Sequence, residues 1–148
     1  MKTLADNKKS HFDYEILEKF NAGMVLIGAE VKSIRLGRMS LAGSYVVIEA
    51  GEPYLVGSIV PPYQPKNTPQ NYNEQRKRKL LLNKSEIDYL VGKANQKGLT
   101  FVPIRVYTEK ATIKLEFGLA RGKKKHDKRE AIKKMETRRE IKKEMDKF

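Results

Sequence analysis

TFVPIRVYTEKATIKLEFGLA, residues 100–120, is the stretch that decides the fold. A strand-forming run, TFVPIRVY, passes through Glu109-Lys110 into ATIKLEFGLA, where Ile113, Leu115 and Phe117 alternate with Thr112, Lys114 and Glu116. A period of two puts the three apolar side chains on one face and the polar ones on the other, so the segment predicts an antiparallel hairpin with one buried face. Gly98 marks where it begins.

Upstream, NKSEIDYLVGKAN (83–95) predicts a helix with Ile87, Leu90 and Val91 facing inward. PPYQPKNTPQNYNE (61–74) is rich in Pro, Asn and Gln with almost no aliphatics, a long exposed loop. Tyr45–Glu49 and Tyr54–Val60 are β-rich runs joined by Ala50-Gly51-Glu52-Pro53, a second hairpin. GAEVKSIR (28–35), with Val31 and Ile34 at helical spacing, predicts a short helix ending at Gly37. Met24 to Ile27 reads as a short strand and Asn21-Ala22-Gly23 as a turn. Phe12 to Phe20 reads as a strand with Phe12, Tyr14, Ile16 and Phe20 on one face. About six short strands linked mainly by hairpins, with about three helices in all, predict a mainly β fold with α: a small closed antiparallel barrel of the oligonucleotide-binding (OB) type.

The chain has 148 residues, enough for one core. Its charged share is high, 33% against 39% apolar, which suggests a folded part carrying a less structured one. The charge locates the division. Lys and Arg number 31 against 18 Asp and Glu, a net +13, and 13 of the basic and 6 of the acidic residues follow Ala120. The last fifth of the chain therefore carries +7 and the rest +6. Residues 1–120 are expected to form the body, with 1–10 a flexible lead-in, and 121–148 a basic tail. On a helical projection of the tail, Ile132 and Met135 fall on one side while Ile141, Met145 and Phe148 fall nearly opposite. A helix docked on its own core needs one continuous apolar face. The tail is expected to be disordered alone and helical where RNA neutralises it, a reading favoured over a merely solubilising tail.

A surplus of this size attracts polyanions, nucleic acid or anionic membrane. No apolar run approaches the ~20 residues of a membrane span, and MKTLADNKKS lacks a secretory signal. The chain contains no cysteine, which excludes disulfides and thiolate metal sites and is compatible with a cytoplasmic setting. Catalytic constellations are sparse. His11 and His126 are the two histidines, Glu30, Glu49, Glu52, Glu86 and Asp88 stand singly, and there is no glycine-rich phosphate loop. A His126-Asp127 pair on a weakly structured tail does not supply the positioned groups that acid–base chemistry requires. The chain is thus expected to have no enzymatic activity, metal or cofactor.

Binding chemistry is better supplied. Arg76-Lys77-Arg78-Lys79 runs directly into Leu80-Leu81-Leu82, and spacing alone divides evenly between a phosphate-binding run and a solvated charge run beside a core strand. Tyr63 and Tyr72 could stack on bases, though packing is the commoner use of a tyrosine. Glu30 could cap its helix or accept hydrogen bonds from bases or 2′-hydroxyls.

Several of these segments, taken in order, resemble the small protein B family, the SsrA-binding proteins of bacterial trans-translation. The motifs are Ala22-Gly23 followed by GAEVKSIRLG (28–37), RKRKLLL (76–82), KGLTFVP (97–103), and GLARGKK (118–124) running into His126-Asp127-Lys128-Arg129. The resemblance runs unbroken from about Asn7 to Arg129 and implies an OB-type barrel with three helices. It also implies binding to the tRNA-like domain of transfer-messenger RNA (tmRNA) and delivery of the alanyl-tmRNA, carried by elongation factor Tu, to stalled ribosomes. The free protein is expected to be a monomer. Carried over by position, the RNA-facing residues would be Asn7, Glu30, Lys32, Arg35, Leu81 and Lys114, with Lys123 and Lys124 nearby and Arg78 and Lys79 from the basic run. His126, Asp127, Lys128 and Arg129 would act in the decoding region and messenger channel of the small ribosomal subunit. Many relatives carry Glu immediately before Ala-Gly where this chain has Asn21, whose amide can still hydrogen-bond to bases or ribose.

Overall fold

The hairpin read from residues 100–120 forms one ladder. In the computed structural model, which describes residues 1–123, β6 (Leu99–Glu109) and β7 (Thr112–Gly122) pair antiparallel from Glu109–Thr112 to Leu99–Arg121. Ile113, Leu115 and Phe117 point into the core as their alternation requires, and the two phenylalanines Phe101 and Phe117 meet edge to face, 6.4 Å between ring centres. Pro103 cannot donate to a ladder, and the register slips there, between Pro103 and Arg105.

The other edges complete a ring. β2 (Tyr14–Met24) pairs with β7 along its length and, at its end, with β5 (Arg78–Leu81). β4 (Glu52–Val56) lies between β5 and β3 (Tyr45–Glu49), and Val46 of β3 returns to Phe101 of β6. Six antiparallel strands therefore close on themselves in the order β6-β3-β4-β5-β2-β7, the barrel that the hairpin pattern predicted. Leu41, Val46, Leu55, Leu80, Leu115 and Phe117 fill it.

The helices occupy the connections. α2 (Gly28–Arg35) buries Ile34 and Ser33, and Gly37, at φ +75°, ends it as expected. α3 (Lys84–Ala94) starts on Asn83, whose side-chain oxygen accepts from the Glu86 N–H at 2.9 Å. Leu90 is buried, but Val91, expected inward, is exposed. The 61–74 segment is a loop interrupted by one 3₁₀ turn, Pro65–Asn67.

Four further expectations are corrected near the N-terminus. The first ten residues are not a free lead-in: β1 (Lys2–Asp6) pairs with the outer edge of β6 and buries Leu4 and Ala5. β1 and β5 were not among the six strands expected, and with the expected Met24–Ile27 strand absent the strands described number seven. The run read as a strand from Phe12 opens instead with a short helix, α1 (Lys9–Asp13). Asn21-Ala22-Gly23 is not a turn but part of β2, and the separate strand expected at Met24–Ile27 is absent, since β2 ends at Met24. A Cβ at Gly23 would stand 3.4 Å from the Leu81 Cβ, in van der Waals contact across the β2–β5 pair.

Lys124, His126, Asp127, Lys128, Arg129 and the conditional helix expected of the tail lie outside the described residues. β7 continues to Gly122, and the Lys123 N–H donates to the Asp13 carbonyl at 2.9 Å, so the backbone ties among the described residues reach three residues beyond Ala120. Among the described residues no helix is long and apolar enough to cross a membrane, and no group of three His, Cys, Asp or Glu could hold a metal ion.

Candidate nucleic-acid interface

The basic run Arg76–Lys79 is the strongest cationic signal in the sequence of the body, and the fold pairs each of its four cations with a carboxylate, Arg76 and Arg78 sharing Glu30. Arg78 is fully buried on β5. Its Nε and Nη2 donate to Glu30 Oε2 at 2.9 and 2.7 Å, and its remaining donors reach the Glu74, Arg76 and Ser58 carbonyls and the Ser58 hydroxyl. Arg76 pairs with the other oxygen of Glu30 and also donates to the Val25 carbonyl at 3.3 Å. Lys77 pairs with Glu49 and lies 4.4 Å from the centre of the Tyr54 ring. Lys79 pairs with Glu52 at 3.1 Å.

Glu30 is as deeply buried as its partner. Of the two readings open to it, the structure supports the cap: Oε1 accepts from the Ile27 N–H at 3.0 Å, at the start of α2. Burial alone would raise its pKa, but the guanidinium of Arg76, the Ile27 N–H and Arg78 outweigh that and hold it below the ordinary carboxylate value. Neither the Glu30 nor the Arg78 side chain, both expected to face RNA, reaches the surface. They lock α2 to β5 and fix both ends of the 61–77 loop, which Tyr72 also ties down by donating to the Val60 carbonyl at 2.8 Å.

The remaining candidates fall into two groups. The first lies on the outer face of the barrel across β5, β2, β7 and β6. Leu81, Gly23, Lys114 and Tyr107 share one row of the ladder. Leu81 is 54% exposed, an apolar side chain held in water by the fold. Lys114 lies 3.1 Å from Glu109. The next row is Asn21, Glu116 and Arg105. Asn21 Oδ1 accepts from the Tyr107 hydroxyl at 2.7 Å, and the Arg105 guanidinium lies 4.6 Å from the centre of the Tyr107 ring. α2 brings two more cations alongside. Arg35 donates to the Ala111 carbonyl at the β6–β7 turn, 2.7 Å, and Lys32 lies 5.5 Å from the centre of the Tyr63 ring.

The second group surrounds α1. The Asn7 amide donates to the Pro103 carbonyl at 2.9 Å, filling the break that Pro103 leaves, and Lys123 donates to the His11 carbonyl at 2.6 Å. Beside them is an open pocket of about 240 Å³ lined by Tyr14, Tyr45, Asn7 and Lys9 among others. The Tyr14 and Tyr45 hydroxyls are 3.2 Å apart, and their hydrogen bond pushes the Tyr14 pKa up to about 12. From Lys114 to Gly122 is about 25 Å along β7, so the two groups flank opposite ends of one strand. Sequence reading missed Arg105 and Tyr107, which show only as half of an alternating strand until the register places them beside Lys114.

A closed six-stranded barrel whose outer face presents cations, amides and the exposed Leu81 is a domain of the OB type. The family model for "SmpB protein" matches residues 4–147. Curated relatives called SsrA-binding protein include that of Sulfurihydrogenibium sp., 50% identical over 96% of this chain and 93% of its own, and that of Nitratiruptor sp., 48% identical over 100% and 99%. The corresponding protein of Thermosynechococcus vestitus is 45% identical over 98% and 95%. A solved chain from "tmRNA-SmpB: a journey to the center of the bacterial ribosome" superposes with a TM-score of 0.66 at 45% identity, covering 86% of this chain and 92% of that one. The chain belongs to the SmpB protein family.

Proposed function

We propose that the protein is a non-enzymatic RNA-binding adaptor that binds the tRNA-like domain of tmRNA and delivers alanyl-tmRNA to stalled ribosomes for trans-translation. Near-full-length identity to proteins called SsrA-binding protein is the observation that carries this reading. The outer face fits it. Phosphate contacts by Lys32, Arg35, Lys114 and Lys123 would supply affinity, and Asn7, Asn21 and Leu81 would supply shape-dependent contacts to base edges and ribose. The partners are tmRNA, the small ribosomal subunit and, through tmRNA, elongation factor Tu; the setting is the cytoplasm, and the free protein is a monomer. Lys124 would join the phosphate contacts beside Lys123, and His126, Asp127, Lys128 and Arg129 would act in the decoding region and messenger channel.

The test is peptide tagging in a bacterial translation extract depleted of its own SsrA-binding protein and programmed with a message lacking a stop codon. Added full-length chain should restore tagging, whereas residues 1–123 should bind tmRNA with near-unchanged affinity and restore none. Tagging by 1–123, or a large loss of its tmRNA affinity in moderate salt, would contradict this division of labour.

A further inference from the structure

Both two-residue hairpin turns of the barrel require a left-handed backbone, and they meet the requirement differently. In the β3–β4 turn Glu49 pairs with Glu52, and the residues between are Ala50 at φ +50° and Gly51 at φ +76°. In the β6–β7 turn Glu109 pairs with Thr112, and the residues between are Lys110 at φ +48° and Ala111 at φ +67°. Positive φ at both central positions is the hairpin geometry that favours Asn-Gly, because other L-residues bring Cβ against the backbone. The first turn places a glycine at its second position; the second carries two side chains that the backbone disfavours. It is held in place by the long β6–β7 ladder and by the Arg35 guanidinium on the Ala111 carbonyl at 2.7 Å.

The strained turn sits among the cations of the outer face. Lys114, two residues into β7, lies across from Tyr107 and pairs with Glu109 at the foot of the turn. Arg35 closes it from α2, beside an open crevice of about 180 Å³ lined by Met24, Leu26, Val31, Arg35, Ala111, Thr112 and Ile113. Lys110 is exposed at the tip. Strained backbone that persists beside a binding surface points to a use for the residues that cause it. Strain alone would be relieved by Asn or Gly without loss, whereas a phosphate contact would not survive removal of the ammonium.

We propose that Lys110 is a further RNA-phosphate contact, and that the β6–β7 turn gives up stability to hold this lysine beside Arg35 and Lys114. The inference rests on the tmRNA-binding reading above and adds to it a residue at the turn. It requires that stability and affinity move in opposite directions at one position.

The test uses the full-length chain and measures melting temperature together with tmRNA affinity across a salt series. Lys110→Asn should raise Tm by a few degrees (about 2–6 °C) as the turn relaxes. The same change should weaken tmRNA binding roughly 3- to 10-fold at moderate salt and reduce the slope of log K against log salt by about one unit. Ala111→Gly should raise Tm while leaving affinity and slope unchanged. Lys84→Gln, an equal loss of charge on exposed α3, serves as the control for net charge. If Lys110→Asn leaves affinity and slope no different from Lys84→Gln, the proposed contact is wrong. A fall in Tm for both turn variants would show that the turn is not strained. Failure of the unmodified chain to bind tmRNA would instead remove the underlying reading.

Discussion

At the scale of single residues, the exposed and buried charges do different work. Glu30 and Arg78 are both buried, and each satisfies the other, so removing one leaves an uncompensated charge in the core. Glu30→Gln should cost about 3–5 kcal/mol of unfolding free energy, read from urea denaturation at neutral pH. The pH dependence has a definite sign. Because the folded-state pKa of Glu30 lies below its unfolded value, its contribution is fully present above about pH 4.3 and is lost as pH falls further, through the folded pKa. The wild type should therefore lose stability more steeply than Glu30→Gln on acidification below that point, and parallel curves would show that Glu30 is not held ionised. Lys114 tests the outer face. Lys114→Ala should weaken tmRNA binding and lower its salt slope by about one unit; an unchanged slope would mean Lys114 touches no phosphate. This scale was the least legible in the sequence. Spacing alone left the RKRK run divided between a phosphate grip and a solvated charge run, because its four carboxylate contacts come from Glu30, Glu49 and Glu52, which are 25 or more positions away. No local pattern announces a partner at that separation. The same limit hid the burial of Glu30, which sits in a motif whose spacing fits a cap and an RNA contact equally.

Elements were far more legible, because their causes are local. The alternation in Ile113, Leu115 and Phe117, the Asn83 cap before α3 and the glycine after α2 each carry their own physics within a few residues. The failures occurred where one residue type serves two purposes. Gly23 was read as a turn former, and it lies near the end of β2, paired with Leu81 of β5. β1 went unseen since a five-residue strand with two adjacent buried residues, Leu4 and Ala5, does not alternate; its register with β6 breaks between Thr3 and Ala5. Gly118 on β7 marks a close approach. A Cβ there would lie 2.8 Å from the Ile16 Cγ2 and 3.2 Å from the Glu18 carbonyl, where β2 shifts register against β7. Gly118→Ala should therefore destabilise the body by about 1–3 kcal/mol, measured as a lowered urea midpoint. An unchanged midpoint would show that this strand pair gives way freely.

At the scale of the whole molecule, the closed antiparallel barrel was foreseen, because hairpin-linked strands of this length have few ways to bury one face each, although β5 takes the place in the ring of the strand expected at Met24–Ile27. Among the described residues the backbone ties of the body run to Lys123, past the expected boundary at Ala120. Within the body, the β5 run is paired with carboxylates, and Arg35 and Lys32, with Lys114 on its partner Glu109, lie together on one side of the barrel. Such a face should prefer one shaped RNA to polyanions in general, since a modest charge surplus gives weak non-specific binding in moderate salt. Gel-shift competition tests this most directly, with the full-length chain on labelled tmRNA and ordinary tRNA as competitor. The complex should persist against a large excess of tRNA. Displacement by tRNA on equal terms with unlabelled tmRNA would contradict recognition of tmRNA by this protein.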